Sequence, residues 1–310
     1  MAKSVLTVTL NPAVDKIVYV HDFRTGDDFR SSKIVLSAGG KGINVSRALN
    51  HLGVKNIATG FLGGASGDLL QKKLTQENIR NSFLKIKPET RTNLTVIGRK
   101  NKITRILEPG PTVSKNDLKS FVRRFSLLLK TCDMVVLSGS LTPGLPDTIY
   151  GELIKIAKRR KIKTILDTSG RPLMAGLRAR PFAVKPNLSE AQLIAGKKLN
   201  SLNAMNAAVK SLLKKSRMVV LSLAGQGAMA GWRNQVLLAS PPKLKIINDV
   251  GCGDSLAAGL AYALKNNLSF EEGVRFAVAA GSADALTLTP GAISKKDIKK
   301  ILPKIILRKF

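Results

Sequence analysis

The sequence predicts an α/β fold: a doubly wound, mostly parallel sheet flanked by helices, with a small additional β-sheet. Three observations carry this. Short aliphatic runs alternate with segments of helical periodicity. Several runs are apolar on both faces, as buried parallel strands are. Glycine clusters follow the strands, at the edge where such sheets hold ligands. The chain has 310 residues, of which 44% are apolar, enough to build one large core. Residues 1–310 are therefore expected to form a single domain.

The elements follow in order. Residues 6–10 (LTVTL) read as the first strand, and 17–20 and 33–38 as two more. A helix then opens near Gly42, with Val45, Ala48, Leu49 and Leu52 at helical spacing. A strand over 56–63 follows. Residues 92–99 and 104–109 predict a hairpin around Lys100-Asn101-Lys102. The segments at about 12–37 and 90–109 break the strand–helix alternation. They are expected to form the small separate sheet, a lid that keeps water from a ligand cleft; the alternative is that they extend the main sheet. Helical patterning at 114–130, 146–160 and 203–215 alternates with strands at 134–140, 163–169, 182–187 and 218–224. Residues 245–250 (KIINDV) read as a last strand feeding a helix whose Leu256, Leu260, Ala263 and Leu264 share one face.

Composition narrows the function classes. The two cysteines, Cys132 and Cys252, match no metal spacing and suggest free thiols in a reducing compartment. The start shows no secretory signal pattern and no run reaches membrane-span length, so a cytoplasmic protein without membrane partners is expected. The net charge of +31 attracts anions. Aromatic residues make up only 5%, and no nucleic-acid-binding signature is present, so no specific nucleic-acid partner is expected.

The chemistry concentrates in glycine turns. Gly251, Cys252 and Gly253 precede Asp254 at a helix start. Bare amides and the helix dipole there suit an anion, and a carboxylate beside them suits phosphoryl transfer to a hydroxyl. An ordinary helix cap is the alternative. There is no GxGxxG fingerprint, since Leu256 takes the last glycine position, and no P-loop. Gly39, Gly40, Lys41, Gly42 and Asn44 form a second turn, where glycine lets a polar ligand lie on backbone. Lys185-Pro186-Asn187 and Glu190 end another strand: either a capping box or an amide and carboxylate near a Mg²⁺-bound triphosphate, through water. Asp15 could bond sugar hydroxyls or close a turn. Ser138 lies in a compact loop, and Ser222, Gly225 and Gly227 in a turn open to a flat base or ribose.

TLNPAVDK, SAGGKGINVSRALNHLG, ETRTN, SGSLTPG, KPNLSE, SLAGQGA and VGCGDSLAAGLAYAL occur in the order found in ribokinase-like (PfkB-type) carbohydrate kinases, so the chain resembles that family across about residues 5 to 290. Within it the chain looks most like the phosphosugar branch of 1-phosphofructokinases, tagatose-6-phosphate kinases and minor 6-phosphofructokinases. The resemblance implies a ribokinase-like fold and ATP-dependent, Mg²⁺-assisted phosphorylation of a sugar phosphate. It implies Asp254 as general base and Gly251, Cys252 and Gly253 as the anion hole. It implies Lys185, Asn187, Ser222, Gly225 and Gly227 at ATP, with Glu190 at Mg²⁺ through water. Asp15, Gly39, Gly40, Asn44, Arg91 and Ser138 match sugar-phosphate contacts, with Lys41 and Arg30 as further phosphate cations. A homodimer through the lid sheet is implied by the family alone. Cys252 replaces the usual alanine; a thiol at a helix start invites a lowered pKa, and a small packed cysteine is the favoured alternative. Asp28 lies where minor 6-phosphofructokinases tend to carry a phosphate-binding lysine, which tilts the expectation toward fructose 1-phosphate or tagatose 6-phosphate.

Overall fold

The computed structural model describes residues 3–21, 23–24, 26–98 and 102–310. The turn residues Lys100 and Asn101 lie outside them. In chain order the elements are β1 (Ser4–Thr9), β2 (Ala13–Tyr19), β3 (Lys33–Gly39), α1 (Lys41–His51), β4 (Asn56–Gly63), α2 (Gly64–Gln76), β5 (Leu84–Ile86), β6 (Thr92–Ile97) and β7 (Ile103–Ile106). Then come α3 (Lys115–Leu128), β8 (Cys132–Ser138), α4 (Ile149–Arg159), β9 (Lys163–Asp167), α5 (Gly170–Arg178), β10 (Ala183–Val184), α6 (Leu188–Ala195), α7 (Leu202–Leu213), β11 (Met218–Ser222), β12 (Ala228–Trp232) and β13 (Gln235–Ser240). The chain closes with α8 (Cys252–Lys265), α9 (Phe270–Asp284), α10 (Lys295–Ile301) and β14 (Ile306–Lys309).

Among the described residues, ten strands form one sheet in the order β14-β13-β12-β11-β10-β9-β8-β1-β4-β5. The pairs from β11 through to β5 are parallel, and β12, β13 and β14 add an antiparallel edge. The four strands β3-β2-β6-β7 form a second sheet, with β2 and β6 parallel. The expectation of a separate small sheet is therefore met, and these strands do not extend the large one.

Successive side chains of a strand point to opposite faces. Leu6, Val135, Leu166 and Val219 accordingly enter a core with Phe61, Phe121, Phe125 and Tyr150, under α3, α4 and α5. Their neighbours Val5, Val136, Ile165 and Val220 enter the opposite core with Leu256, Leu260 and Ala280, under α8 and α9. Both faces are covered, which is why these strands are apolar throughout. A third cluster (Val14, Ala38, Ile43, Leu70 and Leu74) joins the small sheet to α1 and α2.

One expected strand is absent. Residues 245–250 are irregular, and Ile246 and Ile247 are 59% and 57% exposed. Both edges of β13, the strand before it, are already taken by β12 and β14, so the segment cannot pair back on its predecessor. The Ile247 amide instead donates to the carbonyl of Ala285, at the end of α9. The β-branched run thus leads into the glycine turn as a loop rather than a strand.

Candidate active site

The helices α1 and α8 both begin in glycine turns. Gly40 (φ 117°) caps α1 and Gly251 (φ 94°) caps α8. A Cβ at Gly251 would lie 2.5 Å from Cβ of Pro290 and in a backbone region that side chains avoid, so glycine is required there. The first residues of α8, Cys252 and Gly253, carry amides with no acceptor inside the helix. This turn is half-buried rather than sealed.

Asp254, in the first turn of α8, is 6% exposed. Its Oδ2 accepts a 2.8 Å hydrogen bond from Nδ2 of Asn44, in the first turn of α1. Burial, and then the neighbouring charge of Asp167, push the Asp254 carboxyl up to about 7. Lys41, the Asn44 hydrogen bond and Lys185 pull against that shift.

Asp167 ends β9 and is 1% exposed. Its Oδ1 lies 3.2 Å from Nζ of Lys185 and 3.7 Å from Nζ of Lys41. Ser138, at the end of β8, is fully buried and donates to Oδ2 of Asp167 at 3.4 Å. The Asp167 charge raises the Lys41 pKa, with Asp254 and Glu190 adding to it against burial. A Cβ placed on Gly253 would meet Nζ of Lys185 at 3.5 Å, so that buried ammonium stands directly at the start of α8. The ends of β8 and β9, the residue after β10 and the starts of α1 and α8 thus converge. The edge of the sheet predicted to hold the ligand is the edge where they meet.

Asn187 and Glu190 form a complete capping box at α6: each backbone amide donates to the other side chain at 2.8 Å. The capping alternative is therefore realised, and Oε1 of Glu190 is left outside it. Ser222 joins this corner, its amide donating to the Pro186 carbonyl at 2.9 Å. Gly225 lies in the single helical turn Ala224–Gln226, and Gly227 follows it. Among the described residues, no group of three or more His, Cys, Asp or Glu is placed to hold a metal ion.

On the small sheet, Asp15 accepts from Nδ2 of Asn93 at 2.9 Å, and burial raises its pKa. A Cβ at Gly39 would fall 2.0 Å from Oδ2 of Asp15, so the glycine makes room for that carboxylate. Arg91 donates to the carbonyls of Glu108 (2.8 Å) and Asn11 (2.9 Å), tying β6 to the two loops beside it. Arg30 stands apart: it is exposed on the β2–β3 connection and, among the described residues, makes no ion pair or hydrogen bond.

Of the two readings of Cys252, its surroundings favour the small packed cysteine. Burial, then the charges of Asp284 and Asp249, push its thiol up to about 12, against the lowering expected at a helix start. Sequence reasoning also passed over Asp167. The available signal was a lone carboxylate closing an apolar strand, KTILD, at the ligand edge. Arg47 and Asn93 were missed as well; each sits on an element already recognised.

The pfkB family of carbohydrate kinases matches residues 7–297. The chain is 36% identical over 302 residues to a 1-phosphofructokinase of Bacillus subtilis, covering 97% of this chain and 98% of that protein. It is 35% identical over 305 residues to a tagatose-6-phosphate kinase of Staphylococcus epidermidis, with 97% and 98% covered. The solved structure of phosphofructokinase-2 from Escherichia coli in complex with potassium superposes with a TM-score of 0.92 at 31% identity, over 98% of this chain and 99% of that one.

Proposed function

The chain belongs to the pfkB family of carbohydrate kinases, and from that premise we propose that it phosphorylates fructose 1-phosphate with ATP, giving fructose 1,6-bisphosphate and ADP. The observation that carries this is Asp254: a buried carboxylate with a raised pKa, between the open amides of α8 and the ammonium of Lys185. A base poised near neutrality suits removal of a hydroxyl proton. The substrate hydroxyl attacks the γ-phosphorus of ATP and its proton passes to Asp254. The bond to the bridging oxygen breaks and ADP leaves. The amides of Cys252 and Gly253, with Lys185, meet the charge spread over the transferred group.

In this reading Lys185, Asn187, Ser222, Gly225 and Gly227 hold ATP. Asp15, Gly39, Gly40, Lys41, Asn44 and Arg91 hold the sugar phosphate, Ser138 acts through Asp167, and exposed Arg30 is a further phosphate cation offered from the β2–β3 connection. Oε1 of Glu190, outside the capping box, suits a Mg²⁺ carried on the ATP phosphates and reached through water. When bound, Mg²⁺ neutralises charge on the triphosphate. The small sheet acts as the lid of this cleft within one domain. Its exposed Ile34, Leu36, Ile103 and Ile106 support a homodimer formed through it.

Fructose 1-phosphate is favoured by Asp28, which replaces the lysine associated with 6-phosphofructokinases, and by the similarity to a 1-phosphofructokinase. The nearly equal similarity to a tagatose-6-phosphate kinase favours tagatose 6-phosphate as the second reading. ADP release measured with fructose 1-phosphate, tagatose 6-phosphate, fructose 6-phosphate and unphosphorylated ketoses separates them. The highest kcat/KM is expected with fructose 1-phosphate; turnover confined to unphosphorylated sugars would reject a phosphosugar kinase.

A further inference from the structure

Arg47 lies on α1 three residues after Asn44, on the same helix face. It is 4% exposed. A guanidinium has five N–H donors and no acceptor, and here each nitrogen is occupied. Nε donates to Oε2 of Glu77 at 2.5 Å. Nη2 donates to Oε1 of Glu77 at 3.2 Å and to the Ala38 carbonyl at 2.7 Å. Nη1 donates to the Pro290 carbonyl at 2.7 Å and to Oδ1 of Asn44 at 2.9 Å.

The last contact has a chemical consequence. An asparagine amide can sit either way round unless its partners decide. A donor-only group on one side requires the oxygen there. The nitrogen of Asn44 must then face the other side, where Oδ2 of Asp254 accepts it. We infer that Arg47 is a positioning residue for the reaction: by holding Oδ1 of Asn44 it fixes the Asn44 donor on Oδ2 of Asp254 and leaves Oδ1 of Asp254 as the oxygen that takes the substrate proton. The same guanidinium grips the end of β3 through Ala38 and the loop that walls Gly251 through Pro290, so the small sheet, the base and the anion turn share one anchor. This inference rests on the role proposed above for Asp254.

The groups facing Asp254 are Asp167 from β9, Lys185 after β10, and Lys41 and Asn44 from α1. Arg47 reaches it only through Asn44. A hydrogen bond to the charged form lowers a carboxyl pKa, so losing the donor must raise it.

The test titrates Asp254 by ¹³C NMR of its carboxyl carbon, alongside the acid limb of kcat/KM, in full-length Asn44→Ala, Arg47→Met and the double variant. Asn44→Ala is expected to move both readings up by about half a pH unit or more. Arg47→Met should move them the same way, and the double variant no further than Asn44→Ala alone. Additive shifts would mean that Arg47 acts by its charge, and an unmoved titration in Arg47→Met would mean a structural role only; either overturns the inference. Should Arg47→Met fail to fold, Arg47→Lys keeps the charge but not the planar fork. An upward shift is expected there too, and wild-type titration in that variant would count against it. Near-normal turnover in Asp254→Asn would instead sink the base assignment itself, so the two failures are distinguishable.

Discussion

Nζ of Lys185 stands 3.2 Å from Oδ1 of Asp167, and both side chains are withdrawn from water, at 5% and 1% exposure. A buried pair is a poor source of net stability, yet removing one member is severe, because the other is left charged and unpaired. The ammonium is thus held at the start of α8 by a carboxylate that also bears on Asp254.

Asp167→Asn should therefore do two things. It should destabilise the fold by about 3–5 kcal/mol, read from chemical denaturation. It should also move the acid limb of kcat/KM to lower pH, because a charge that raises the Asp254 pKa is gone. A limb that stays in place would show that Asp167 acts on Lys185 alone.

Asp254 itself couples activity and stability to pH. Its ordinary value of 3.8 rises to about 7 in the fold, so the base form is lost as pH falls through 7, and kcat/KM should fall tenfold per unit below that. The stability sign is opposite. Between about 4 and 7 the folded protein binds a proton that the unfolded chain does not, so this group's contribution declines as pH rises through that window. Asp254→Asn keeps an acceptor for Asn44 but no charge. It should cut turnover by about 10²–10⁴-fold and melt higher than wild type at pH 8, with the gap closing toward pH 5. A variant less stable at pH 8 would contradict the burial account.

Much of this was legible in the sequence. The strands β1, β4, β8, β9 and β11 announce themselves as runs apolar on both faces, and the glycine turns announce the ligand edge. What the sequence could not show was pairing across distance. Asp167 is an ordinary strand-end carboxylate until β9 brings it against Lys185, and Arg47 is an ordinary helix arginine until Ala38, Glu77 and Pro290 close around it. KIINDV misled for the same reason: β propensity is a preference for a pleated surface, and β13, the strand before it, was already paired on both edges. For Cys252 the sequence left two readings, and the structure separates them because a helix start lowers a thiol pKa only when burial and neighbouring carboxylates do not outweigh it.

The buried setting of Cys252 gives a direct prediction. With its pKa pushed up to about 12, the thiol holds almost no thiolate at pH 7.5, and the thiolate is the form that reacts. Iodoacetamide should label Cys252 far more slowly than free cysteine, by mass spectrometry of the intact chain, and Cys252→Ala should keep near-normal turnover. Rapid alkylation with matching loss of activity would show a reactive site instead.

Arg91 yields the most specific prediction about substrate. Its two carbonyl contacts, to Glu108 and Asn11, fix the guanidinium at the boundary between the small sheet and the loop after β1. Nε is buried and, among the described residues, has no hydrogen-bond partner. An unpartnered charged donor in that position is costly unless an anion completes it, and the sugar phosphate is the anion assigned to that side of the cleft. ATP is assigned to the other side, around Lys185, Asn187 and Ser222. Arg91→Ala should then raise KM for the sugar phosphate tenfold or more, since a charge-assisted bond contributes about 1.5–3 kcal/mol, while KM for ATP changes little. Arg91→Lys should recover only part of the loss, because an ammonium cannot reproduce the fork that holds both carbonyls while facing a phosphate. If both Michaelis constants rose together, Arg91 would be a scaffold for the loops and the phosphate would bind elsewhere.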